Sequence, residues 1–194
     1  MPTITSKNTS VNSKQVPAIY NKLNWHALTN RHFDSKGYNS TFYIFDIGCG
    51  RNPFIIENYL MKKLWTIQRQ VRYLPFDPYW LDDAHNYVSL ETWYNNRGSI
   101  GCIICSNVLN VIQDDKHMMQ LLNTMHKEWQ YNEVPYFITV YEGDKTGTGK
   151  LTKQDCWQRN MRAKNYVNLT GDAFYEGIHK EVICPNAVQD IIIK

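Results

Sequence analysis

Thr41-Phe-Tyr-Ile-Phe-Asp-Ile-Gly-Cys-Gly-Arg-Asn-Pro53 decides how the chain is read. Phe42, Ile44 and Ile47, with their aromatic and β-branched neighbours, make a short, nearly continuous apolar run. Such a run suits a strand covered on both faces, as in a parallel sheet. Asp46 stands at its carboxyl end, followed at once by Gly48 and Gly50. Without side chains, those two positions let a turn pass close beneath a ligand. Asn52 is a good helix N-cap and Pro53 a good first helical residue. Strand, glycine turn and capped helix are the ingredients of a nucleotide-type site.

Downstream, Ile56, Leu60, Leu64 and Ile67 recur at helical spacing, and Val71 to Phe76 reads as a second strand ending in Asp77-Pro78. From Phe42 to Asp77 the chain has the length of one βαβ unit with parallel strands. Tyr87 to Leu90 is read as a third strand and Glu91 to Asn96 as a short helix closed by Arg97-Gly98. Ile100 to Ser106 is the fourth strand. Asp114 or Asp115 then caps a helix with Met118, Leu122, Met125 and Trp129 on one face, and Tyr136 to Tyr141 is the next strand. Alternating strands and helices predict an α/β protein with a doubly wound sheet.

Upstream, Pro17 to about Phe33 carries Ile19, Leu23 and Leu28 and predicts a helix before the first strand. Beyond Tyr141, Glu142 to Lys153 is a Gly/Thr/Lys loop and Gln154 to Tyr166 a basic helix. Glu181 to Cys184 and Asp190 to Lys194 are strands that could pair antiparallel around Pro185-Asn186. Residues 1–15 are polar and predict a disordered tail. That leaves 16–194 as a single domain.

The 194 residues are 43% hydrophobic and 20% charged with a net charge of +3, the composition of an ordinary globular protein. That charge permits a nucleic-acid partner without arguing for one. No apolar run is long enough for a membrane span and no signal-peptide segment is visible, so no membrane association and a cytoplasmic location are expected. Cys102-Ile-Ile-Cys105 has the spacing of a zinc or redox half-site but lies inside an apolar strand with no second pair, so it reads as structural. The histidines make no ligand pair, and no metal is expected.

Three readings compete for the glycine turn. A dinucleotide site wants G-x-G-x-x-G/A, and Pro53 stands where the third small residue belongs. Tight NADH binding would be needed to revive a nicotinamide oxidoreductase. A phosphate loop wants G-x-x-x-x-G-K-[ST], which the run from Gly143 to Lys150 fails in spacing and in Leu151. The third reading is S-adenosylmethionine, which carries no phosphate. It needs backbone N–H groups near a carboxylate, a carboxylate for two ribose hydroxyls, and a residue beside the reactive methyl. The glycine turn, Asp77 and Ser106-Asn107 fill those places.

Phe45-Asp-Ile-Gly-Cys-Gly50 resembles the first motif of class I S-adenosylmethionine-dependent methyltransferases, usually D-x-G-x-G. Phe76-Asp-Pro-Tyr-Trp80 is similar to their acidic second-strand motif. The stretch from Ile103 to Asp115, with Ser106-Asn-Val-Leu109, resembles their fourth-strand segment. The ordered set covers roughly the middle half of the chain. It implies a three-layer, Rossmann-like fold, mostly parallel with an antiparallel C-terminal strand.

By this resemblance Asp46, Gly48, Gly50 and Asn52 line the methionine end of the cofactor. Asp77 holds the ribose with Pro78 and Tyr79 beside it, the segment around Ser89 and Leu90 lies near the adenine, and Ser106 and Asn107 lie near the methyl group. Asn110-Val111 replaces the frequent E-H, and the N-P-P-Y or D-P-P-Y segment of DNA amino-methyltransferases is absent. The implied activity is methyl transfer to an unidentified small-molecule or nucleic-acid acceptor. The alternative is an S-adenosylmethionine-binding regulatory module without that activity.

Holding donor and acceptor in line is the largest part of such a transfer, so a missing acid–base pair does not count against it. Tyr141, Glu142 and Asp144, after the fifth strand, are candidates for the acceptor pocket. So is Trp157, within a basic segment, 150–166, that could track nucleic acid or form a solvated helix face. Asp46 and Asp77 also admit a plainer reading as turn-forming residues.

Overall fold

In the computed structural model, which describes residues 15–151, 157–168, 174–176 and 182–185, two short helices replace the single one expected from Pro17 to Phe33. They are α1 (Ala18–Lys22) and α2 (Trp25–Lys36). Asn24 causes the break: its side chain accepts from the Ala27 N–H and caps α2, and Trp25 Nε1 donates back to the Tyr20 carbonyl at 2.8 Å.

The run that opens the argument forms β1 (Phe42–Ile47), and α3 (Pro53–Lys63) follows with Pro53 in its first turn. A 3₁₀ segment, Trp65–Gln70, leads into β2 (Val71–Phe76). Next come α4 (Asp83–Asn95), β3 (Ile100–Ser106), α5 (Asp115–Asn132) and β4 (Tyr136–Thr139). Asp114 caps α5, its carboxylate accepting from the Lys116 and His117 N–H groups. A small antiparallel hairpin, β5 (Gly149–Leu151) with β6 (Trp157–Arg159), precedes α6 (Ala163–Asn168), β7 (Phe174–Glu176) and β8 (Val182–Pro185).

The main sheet has the order β2-β1-β3-β4-β8-β7. Its first four strands are parallel, with Phe42 beside Val71, Ile44 beside Cys102 and Ile103 beside Tyr136. β8 runs antiparallel to both β4 and β7. Alternate residues of β1 feed two cores. Phe42 and Ile44 pack with Leu23, Leu28, Leu60 and Leu64, while Phe45 packs with Ile103, Leu122, Met125 and Tyr166. The parallel strands are therefore covered on both faces, as their continuous apolar sequences require. Cys102 joins the first core and Cys105 the second, on opposite faces of β3.

Four expectations need correction or completion. Tyr87 to Leu90 is not a strand but part of α4, which starts where Asp82 accepts from the His85 N–H. The buried residues of α4 are Asn86 and Ser89, whereas Tyr87, Val88 and Leu90 point outward and Trp93, stacked on Phe45, carries its apolar contact with the core. Gln154 to Tyr166 is not one basic helix: residues 152–156 lie outside the described ones, and β6 precedes the short α6. Residues 149–151, placed in a loop by sequence, pair with β6. The partner of β8 is β7, while Asp190 to Lys194 and residues 1–14 lie outside the described residues. No helix among the described residues is long and apolar enough to cross a membrane.

Candidate functional site

The chain leaves β1 for β2 on one side and later reaches β3 on the other, so the carboxyl ends of β1 and β3 flank a reversal of strand order. Open α/β sheets bind ligands in the crevice at such a point. Gly48 and Gly50, just beyond β1, have φ of 72° and 79°, a region that costs most side chains free energy. The Gly48 and Cys49 N–H groups donate to the Phe76 carbonyl at 2.7 and 3.3 Å, lacing the turn to the end of β2. A Cβ at Gly48 would stand 2.3 Å from Val108 Cγ2, in the turn after β3. A Cβ at Gly50 would meet nothing within 4 Å. The turn is thus packed tight at Gly48 and open at Gly50.

Asp77 follows β2 and is buried, 5% exposed. Its Oδ2 accepts from the Gly50 N–H at 3.0 Å, and its Oδ1 accepts from the Tyr79 and Trp80 N–H groups at 2.9 and 3.2 Å. α4 holds it in place. Asn86 accepts from the Asp77 N–H at 2.9 Å and donates to the Asp77 carbonyl at 3.0 Å and the Leu81 carbonyl at 3.2 Å. Across the rim, the Arg51 guanidinium lies 4.1 Å from the centre of the Trp80 ring. Pro78 and Tyr79 are exposed beside it, and Asn52 occupies the N-cap position of α3.

Asp46 is sealed beneath the turn. The Tyr73 hydroxyl donates to its Oδ2 at 2.5 Å. Burial pushes its carboxyl up to about 6, against the downward pull of that hydrogen bond, and the nearby Asp77 adds to the rise. Asp46 therefore supports the turn from within the core, and Asp77 holds it at the Gly50 N–H.

At the far side of the crevice, Ser106 Oγ lies 2.9 Å from Thr139 Oγ1, and the Asn107 N–H donates to the Thr139 carbonyl at 2.8 Å. Asn107 has φ of 59°, which an asparagine tolerates better than most residues. Three residues on, the buried Asn110 accepts from the Tyr141 N–H at 3.4 Å and donates to Gln158 Oε1 at 3.5 Å. Gln158 Nε2 donates to the Tyr141 and Arg159 carbonyls at 3.2 and 3.0 Å. The β5–β6 hairpin is thereby tied to the ends of β3 and β4.

Among the four acceptor-pocket candidates, Tyr141 stands 63% exposed at the end of β4. Glu142 is engaged elsewhere: its Oε1 accepts from the Ala163 N–H at 2.9 Å and its Oε2 pairs with Lys145 at 3.1 Å. Partial burial pushes its carboxyl up, but that N–H and the Lys145 ammonium outweigh it and hold it below the ordinary value. Asp144 staples its own loop, accepting from Thr146 and pairing with Lys150 at 3.1 Å. Trp157 packs over Gly149, where a Cβ would stand 1.9 Å from its ring. In the basic segment, Arg159 is equally committed, its Nη2 lying 3.0 Å from the Ile112 and Gln113 carbonyls and 2.7 Å from Asp115.

The sequence-derived set Gly48, Gly50, Asp77, Ser106 and Asn107 thus comes together at one end of the sheet, with Tyr141 beside it. Asn86, Thr139 and Gln158 belong to no motif, and Val108 is marked only as part of Ser106-Asn-Val-Leu109. Asn86 carried one local signal, a polar residue three positions before Ser89 on the inward face of a capped helix. Among the described residues no group of three or more His, Cys, Asp or Glu side chains is arranged to hold a metal ion. Compared with known protein families, curated proteins and solved structures, the chain matches none.

Proposed function

We propose that this protein is a methyltransferase that uses S-adenosylmethionine, built on a Rossmann-like sheet with its donor site at the carboxyl ends of β1, β2 and β3. One observation carries the reading: the turn after β1 is packed against Val108 at Gly48 and held at the Gly50 N–H by the Asp77 carboxylate at 3.0 Å, while nothing lies within 4 Å of where a Cβ on Gly50 would stand. A side chain at residue 50 would project into that opening, so the glycine keeps room for a ligand. A carboxylate has about four lone-pair sites. The three N–H groups on Asp77 leave one for a ribose hydroxyl, one fewer than the two expected from the sequence.

The bound cofactor would supply the methyl group. In this reading Gly48 and Gly50 bring backbone close to its methionine end, and Asp77, Pro78 and Tyr79 border its nucleoside. Ser106 and Asn107, held by Thr139, border the place where an acceptor approaches. Their contribution is alignment, which accounts for the lack of a free acid–base pair among the described residues of the crevice. The sheet order, with β1 and β3 flanking the reversal and β8 antiparallel beyond β4, agrees with this layout.

Titration calorimetry tests the donor site. S-adenosylmethionine should bind, and Asp77→Ala should weaken it about tenfold or more, the worth of a charge-assisted hydrogen bond in a buried setting. Equal affinity for both proteins would remove Asp77 from the site. Transfer of a labelled methyl group to any acceptor separates the enzyme from a binding module.

A further inference from the structure

Asn110 is 2% exposed, yet its amide is loosely held. An amide side chain offers about four hydrogen-bonding places. Among the described residues Asn110 fills two, at 3.4 and 3.5 Å, beyond the usual range of about 2.7–3.2 Å. Burying a polar group with such weak partners costs free energy unless a further group completes it. Its neighbours fix which atom points where. The Tyr141 N–H requires Asn110 to present Oδ1 to it, turning Nδ2 toward Gln158. Two carbonyls require Gln158 to present Nε2 to them, leaving Oε1 turned toward Asn110. One donor and one acceptor therefore face each other across a long gap.

We propose that Asn110 and Gln158 bind a nucleobase, through an edge that places an N–H donor beside an acceptor. The base edge would replace the 3.5 Å contact, its N–H donating to Gln158 Oε1 and its acceptor atom receiving from Asn110 Nδ2. Asparagine and glutamine amides make such two-point contacts with bases. Tyr141 belongs to the same arrangement, because both its backbone polar groups bond the two amides. Its exposed ring projects from that turn and offers a stacking face. The charge is right for a neutral ligand: Glu142 is tied to Lys145 and the Ala163 N–H, and Arg159 to Asp115. This proposal rests on the methyltransferase reading only in placing the base beside Ser106 and Asn107.

The test compares nucleosides that differ in the donor alone: adenosine against purine riboside, and cytidine against pyrimidin-2-one riboside. Equilibrium dialysis is run with saturating S-adenosylhomocysteine, so that adenosine cannot report on the donor site. The wild-type protein should hold one amino-bearing nucleoside about tenfold more tightly than its partner, a two-point contact against a one-point contact. Gln158→Leu should bring that ratio near one with S-adenosylhomocysteine affinity unchanged, and circular dichroism reports its folding. Asn110→Ser, which keeps a small polar group, should weaken both members of a pair.

Ratios near one in the wild-type protein, or no binding of any nucleoside or of single-stranded dA and dC oligonucleotides, would overturn the proposal. Tighter binding of the oligonucleotides assigns the base to a strand, and equal binding assigns it to a free nucleoside. If S-adenosylhomocysteine does not bind while the cytidine ratio persists, the donor site fails and the base site stands.

Discussion

Val108 packs against Gly48 so closely that a Cβ on residue 48 would overlap Val108 Cγ2 at 2.3 Å. The turns after β1 and β3 are thereby locked together at the point where strand order reverses. Gly48→Ala meets two penalties, a φ of 72° and this overlap. Together they should cost about 3 kcal/mol in urea unfolding. Gly50→Ala has only the first, at φ 79°, and should cost about 1–2 kcal/mol while weakening S-adenosylmethionine binding. Val108→Ala should recover part of the Gly48→Ala loss and none of the Gly50→Ala loss. Equal losses for the two glycines would show that the overlap relaxes at no cost.

Asn86 acts on the crevice through Asp77. Its side chain satisfies both the N–H and the carbonyl of Asp77 from within α4. Asn86→Ala leaves those buried groups without that partner and should lower stability by about 2 kcal/mol. It should also weaken S-adenosylmethionine binding severalfold, because the Asp77 backbone is no longer fixed. Unchanged calorimetric affinity with lowered stability would confine Asn86 to folding.

The four parallel strands were legible because β1, β3 and β4 are buried apolar runs and β2, at the sheet edge, interrupts its own only at Arg72. What failed in sequence failed for physical reasons. α4 turns Asn86 and Ser89 inward, Asn86 serving the Asp77 loop, and leaves Tyr87, Val88 and Leu90 outside, so that Tyr87 to Leu90 reads as a strand. Pro75, in β2, carried an unread signal: it has no N–H to donate, which suits the sheet-edge position that β2 occupies. β5, β6 and β7 are three residues each, too short for alternation to show. In the crevice, Gly48, Gly50 and Asp77 could be found because local spacing places them. Gln158 could not, because its tie to Asn110 spans 48 positions and depends on the hairpin folding back.

Asp46 gives the protein a pH dependence of unusual sign. A carboxyl held at about 6 in the folded state, against an ordinary 3.8, keeps its proton longer folded than unfolded. Between those values the folded state binds more protons, so stability falls as pH rises from about 4 to 6. Near pH 7 the buried charge costs at most about 3 kcal/mol. Asp46→Asn keeps an acceptor for the Tyr73 hydroxyl and removes the charge. Urea unfolding should show the variant more stable than wild type at pH 7 and level with it at pH 4. Curves that stay parallel across this range would mean that Asp46 keeps its ordinary acidity when folded.

Arg159 and Asp115 form an ion pair between the hairpin and the body of the protein, at 2.7 Å, but the two partners are not equivalent. The Asp115 side chain is 79% exposed, whereas that of Arg159 is 12% exposed and also bonds the Ile112 and Gln113 carbonyls. An ion pair with one partner in solvent contributes little. Asp115→Ala should therefore change stability by no more than about 0.5 kcal/mol. Arg159→Ala removes the partner of two carbonyls as well and should cost about 2 kcal/mol. The hairpin holds Gln158 against Asn110, so the loss should also appear as faster amide hydrogen exchange at Lys150 and Gln158, paired across β5 and β6. Salt separates the contributions: 0.5 M NaCl should erase the small Asp115→Ala effect by screening and leave the Arg159→Ala effect nearly intact. Equal losses for the two variants would mean that the two carbonyl bonds add nothing to what the ion pair contributes.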